Sequence, residues 1–225
     1  KKTNKKLFIS VYNDEIASKE SIIEYAVTIP SQLKDIPGFV HLLDHLIINK
    51  PHKEEEEENK GDFLVTAEEL MENGDLESSI KRKTINATIK SKIIFGVAAA
   101  MKSFHNKNLK FGGLCNRHIF LDSSMEPRIR FSTPTIDLST IPPNYYKFYH
   151  VYYPFESLMC EEEYIDESFD VYSYGFVLFF LFDGKSSSIR SILDDESDEI
   201  RFSLSSWVSF SSFFVKGFTP FMFYK

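Results

Sequence analysis

One stretch constrains the fold more than any other. Across INATIKSKIIFGVAAAMKSFHNK, residues 85–107, apolar residues recur at Ile85, Ile89, Ile93, Val97, Ala100, Met101 and Phe104. Steps of three and four put them on one side of a 3.6-residue turn, which predicts a long helix with one buried face. Asn86 or Thr84 is placed to cap its start. A helix with such a stripe needs other elements to cover it.

The flanking segments offer those elements. LFISVY, residues 7–12, reads as a short strand, and KESIIEYAVTIPSQL has helical apolar spacing as far as Pro30. Residues 38–49 are apolar enough for one or two strands. Five consecutive glutamates at 54–58 repel one another and predict a solvated acidic loop within residues 50–62. Phe63, Leu64 and Val65 resume as a strand, Asn73-Gly74 marks a turn, and Asp75 can cap a helix. SSMEPRIRFS reads as a turn and a strand. A loop over 133–154 carries Pro134, Pro142, Pro143 and the string Tyr145, Tyr146, Phe148, Tyr149, which suits either a packed loop or a docking surface. DESFDVYSYGFVLFFLFDG predicts a second helix, apolar all round toward its end and therefore buried on all sides. From Lys185 the chain turns polar, then rich in Phe and Ser.

Bulk numbers exclude several classes. The 225 residues are 43% hydrophobic and 26% charged, enough for a core. A net charge of −7 argues against a nucleic-acid binder. Two cysteines, Cys115 and Cys160, cannot make a disulfide framework and suggest a reduced, cytoplasmic setting. The longest apolar run, residues 176–182, is far short of the ~20 residues that span a bilayer. Cys115 and His118 have metal-ligand spacing, but one such pair makes no zinc site. No G-x-S-x-G nucleophile elbow is present.

Order and spacing then become informative. LVT…MENGDL, the helix ending in MKSFHNK, LDSSMEPRIRF, PFE and FDVYSYG follow one another over residues 64–185. In this order they resemble the protein kinase family, with about two extra residues at the hinge. The closest motif is Phe169 to Gly175, similar to the S-D-V-Y-S-F-G of tyrosine-kinase-like members. LFISVY resembles the strand that normally reads V-A-V-K-V-x. The resemblance implies an α+β, bilobal fold: a small β-rich lobe over residues 1–70 and a helical lobe over 71–225, its end degenerate from about 185.

The same resemblance can be checked against the chemistry. Phosphoryl transfer rests on positioning and charge neutralisation. No glycine precedes Ser10, so a glycine-rich loop is lacking, and Ser10 falls at the phosphate-gripping lysine. Glu24 is the candidate for that lysine's partner. H-R-D-L-K-P-x-N becomes residues 111–118, FGGLCNRH. Gly113 stands at the catalytic aspartate, and a missing base typically costs ~10²–10⁴ in rate. Cys115 lies in the same loop, and His118 stands at a magnesium-binding asparagine, where imidazole is a poor ligand. D-F-G becomes Phe131-Ser132-Thr133. By contrast, Asp170 stands where the family holds backbone N–H groups of this loop. Gly175 closes its motif, Glu156 resembles the acid of A-P-E, and Phe111 replaces a core histidine with an apolar ring. The pattern implies a pseudokinase that binds other signalling proteins, an active kinase among the candidates, with no cofactor and no metal. The alternative is a weak ATP- and magnesium-dependent Ser/Thr or Tyr kinase that uses displaced residues such as Lys5, Lys110 or Asp122.

Overall fold

The computed structural model describes residues 6–12, 23–48, 63–112, 114–131, 152 and 167–183. The acidic loop at 50–62, almost all of the loop at 133–154 and everything from 184 onward lie outside them. The described residues form a mixed α+β structure.

Three strands make one antiparallel sheet in the order β1 (Leu7–Tyr12), β3 (Phe63–Glu69), β2 (Leu42–Ile48). The central strand alternates: Leu64, Thr66 and Glu68 are buried, while Phe63, Val65, Ala67 and Glu69 are half-buried on the other face. A period of two is what a strand with unequal faces dictates. Antiparallel pairing sets Ser10 opposite Thr66 and Phe8 opposite Glu68, so these share the inward face.

The helical segment before β2 departs from expectation. It was expected to stop at Pro30, yet it continues through it. A π-helical turn, Glu24–Thr28, runs into a single α-turn, α1 (Ile29–Gln32), with Pro30 in its first turn. A proline there withholds an N–H that the start of a helix does not need.

Gly38 then adopts φ +93°, and a Cβ there would come within 2.6 Å of Ala100 Cβ. This close approach lets the chain pair with the strand Pro127–Ile129: the Ile129 amide donates to the Gly38 carbonyl at 2.7 Å and Val40 N to the Ile129 carbonyl at 2.9 Å.

The turn at Asn73-Gly74 leads into α2 (Leu76–Lys81), capped by the Asp75 carboxylate accepting from Ser78 N. The long helix is α3 (Ala87–His105), two residues shorter at each end than the segment 85–107. Of the two candidate caps, Asn86 serves, its Oδ1 accepting from Ile89 N at 2.9 Å. Ile93, Val97, Ala100, Met101 and Phe104 are buried.

A hairpin follows, β4 (Ile119–Leu121) with β5 (Pro127–Ile129). It is clipped to the Asn73-Gly74 turn, since Asn73 N donates to the Leu121 carbonyl and Leu121 N to that of Gly74. The last described helix, α4 (Glu167–Asp183), joins α3 through the Tyr174 hydroxyl, which donates to the Ile94 carbonyl at 2.6 Å. Its end is not buried on all sides: Val177, Phe180 and Leu181 are buried, but Phe182 is 63% exposed, with Lys90 Nζ 5.4 Å from its ring centre. A helix buries only the sides its neighbours reach. Among the described residues no helix is long and apolar enough to cross a membrane.

Rings fill the centre. Phe104 lies 5.4 Å from Phe39, 6.3 Å from Phe111 and 5.7 Å from Phe131. Gly96 of α3 carries the hairpin: a Cβ there would overlap Pro127 Cγ. We expect Gly96→Ala to lower unfolding free energy by about 1–3 kcal/mol, the usual cost of overpacking. Urea unfolding measures this, and an unchanged midpoint would show that the α3–β5 contact is loose.

Candidate functional site

Two polar clusters stand out in this apolar interior. The first centres on Asp170 in the first turn of α4, a carboxylate with 1% of its side chain exposed. Its Oδ2 accepts from Phe111 N at 2.9 Å and lies 2.8 Å from His105 Nε2; its Oδ1 accepts from Gly112 N at 2.8 Å. The end of α3 and the loop starting at 111 are thereby fixed to α4. Gly175 is buried on the same helix, one turn further on. Gly113 and Glu156 lie outside the described residues.

The loop then turns its side chains inward. Phe111 is buried, its ring 4.8 Å from Phe131 and 5.4 Å from His118. His118 is buried as well, with Nδ1 3.5 Å from Cys115 Sγ. Burial pushes the Cys115 thiol up to about 12. A thiol held protonated is neither a nucleophile nor a metal ligand at neutral pH. Among the described residues, no group of three or more His, Cys, Asp or Glu side chains is placed to hold a metal ion.

The second cluster lies between the sheet and the hairpin. Arg130 follows β5 and reaches across to two strands. Its Nε is 2.5 Å from Glu68 Oε2, and its Nη2 donates to Ser10 Oγ at 2.8 Å. The guanidinium carbon sits 4.3 Å from the Phe8 ring centre and 5.7 Å from that of Phe120. The ion pair is shut from solvent, with side-chain exposures of 13% for Arg130 and 6% for Glu68. Close by, burial pushes the Tyr12 phenol up, against the opposing pull of the Arg130 charge.

Other residues singled out by sequence fall elsewhere. Asp122 holds its own turn, with Oδ1 accepting from Ser124 N and Glu126 N and Oδ2 3.5 Å from Arg128. Lys110 is exposed, and Lys6 lines a cavity of about 530 Å³ between the sheet and the hairpin with Glu69, Glu72, Asp122 and Arg128. Lys5 and the side chain of Glu24 lie outside the described residues.

Sequence reasoning missed Arg130, Glu68, Phe8 and Phe120. A signal existed: the alternation of β3 turns Glu68 inward, and a buried carboxylate needs a cation.

With fold and clusters described, the chain can be placed. The sequence model of the protein tyrosine and serine/threonine kinase family matches residues 54–200, more than half of the 225. The chain belongs to that family. Ser10 and β1 precede the matched stretch. No curated protein matches the chain.

The buried pair makes a sharp prediction. Arg130→Met strands the Glu68 charge and should cost about 3–5 kcal/mol of stability, while Glu68→Met with Arg130→Met should recover most of that loss. Denaturant unfolding of the two variants checks it. Equal losses in both would mean that the ion pair does not couple the two sides.

Proposed function

We propose that this chain is a pseudokinase: a bilobal kinase-like domain without phosphoryl-transfer activity, which acts in the cytoplasm as a scaffold or allosteric partner for other signalling proteins, an active kinase among the candidates. The observation that carries this reading is the Arg130 side chain between Phe8 and Phe120, bonded to Ser10 and Glu68.

A kinase must hold a triphosphate and its magnesium between the phosphate lysine and the metal-binding carboxylate. By resemblance, those places fall at Ser10 and Phe131. Serine brings no charge, and Phe131 is buried among rings. The cation that does reach Ser10 is already neutralised by Glu68 at 2.5 Å. His118, where the metal-binding asparagine would stand, is buried beside Phe111. The Asp170 bonds to Phe111 N and Gly112 N need no loop side chain, so the scaffold survives the loss of the chemistry.

A second reading has one observation in its favour. Arg130 does bring a cation to Ser10, and a weak ATP- and magnesium-dependent kinase could use it if Glu68 released it. Phosphate transfer from radiolabelled ATP separates the two. We expect no label on the chain or on a generic protein substrate above the buffer blank. Incorporation that survives rigorous purification and is lost in Arg130→Ala would establish the second reading and overturn the first.

A further inference from the structure

The outward face of the sheet has no use in either reading, and it is apolar. Register aligns Val11, Val65 and Leu46 in one row across the three strands. Ile9 and Ala67 lie in the row on one side, Phe63 and Ile48 in the row on the other. Leu7, Ile9, Val11, Leu46 and Ile48 are 46%, 52%, 62%, 58% and 45% exposed. The charges on this face, Asp44 and Glu69, sit at one end, beside Ala67 and Leu7.

We propose that this face is a self-association surface, covered in solution by the same face of a second copy. The Val11–Val65–Leu46 row and the Phe63–Ile48 row carry no charge through which a basic or acidic partner could be read. Taking roughly 160 Å² for a fully exposed aliphatic side chain, the five present on the order of 400 Å², a patch of the size that is often functional on a monomer. Phe63, Val65 and Ala67 add to it. Two such faces would bury about 800–1,000 Å² in total, the scale of a weak, reversible contact rather than an obligate dimer. The geometry suits it: two twisted sheets pack face to face at about 10 Å, and a two-fold axis along the Val11–Val65–Leu46 row sets that row against its own counterpart and the charged end of each face toward the opposite end of the other. The drive is apolar and works against the repulsion of two chains that each carry −7. Added salt should therefore strengthen the dimer, whereas it would weaken pairing between opposite charges.

Sedimentation velocity on the full chain tests this. From about 10 µM to about 500 µM we expect a shift from monomer toward dimer, greater at ~500 mM than at ~50 mM NaCl. Val11→Lys with Leu46→Lys should remain monomeric throughout, with an unchanged circular-dichroism spectrum. Val11→Thr with Leu46→Thr, which keeps strand propensity, should weaken association at least tenfold even if the lysine pair fails to fold. A chain that is monomeric at every concentration would overturn the proposal, as would a dimer indifferent to the threonine pair or one dissolved by salt.

Discussion

The buried carboxylate of Asp170 is the interaction on which the rest of the helical region depends. It is reached by two backbone amides and an imidazole from parts of the chain some 60 residues away in sequence, Gly112 N being 58 residues distant and His105 65. Removing such an acceptor leaves buried donors without partners, at ~1–3 kcal/mol each. It also frees the loop that carries Phe111, Cys115 and His118. The bonds are made to backbone, so the sequence of the loop can drift without loosening it.

The Arg130–Glu68 pair does for the sheet and the hairpin what Asp170 does for the loop. A buried ion pair is weak evidence of stability, because desolvating both charges offsets much of their attraction. Its larger effect here is geometric. A planar cation between two rings, bonded to both edge and centre of the sheet, ties the sheet to the hairpin. Anything that uses the Arg130 charge must first separate it from Glu68 and leave both charges to be matched again.

Much of this was legible in the residues. The three-and-four spacing of α3 gave its face, and Asn86 and Asp75 act as caps because their short side chains can turn back to the helix amides. Asn73-Gly74 gave the turn, with Gly74 at φ +72°. The motif at 169–175 drew notice to Asp170, whose contacts span the fold. Other features could not be read. The helix through Pro30 depends on a π-turn that no local propensity signals. Uniform apolarity in α4 said nothing about which sides would find neighbours, and Phe182 did not. The cleft cluster joins residues 120 positions apart, Ser10 with Arg130, through a sheet register that short-range pattern does not specify.

Isothermal titration of the full chain with ATP, with and without magnesium, is the most direct measurement of whether the chain binds nucleotide. We predict no saturable heat up to about 1 mM ATP in either condition, the range in which a site worth ~4 kcal/mol would begin to fill. Saturable binding in the tens of micromolar, tightened by magnesium and abolished by Arg130→Ala, would contradict a cation that Glu68 keeps from nucleotide.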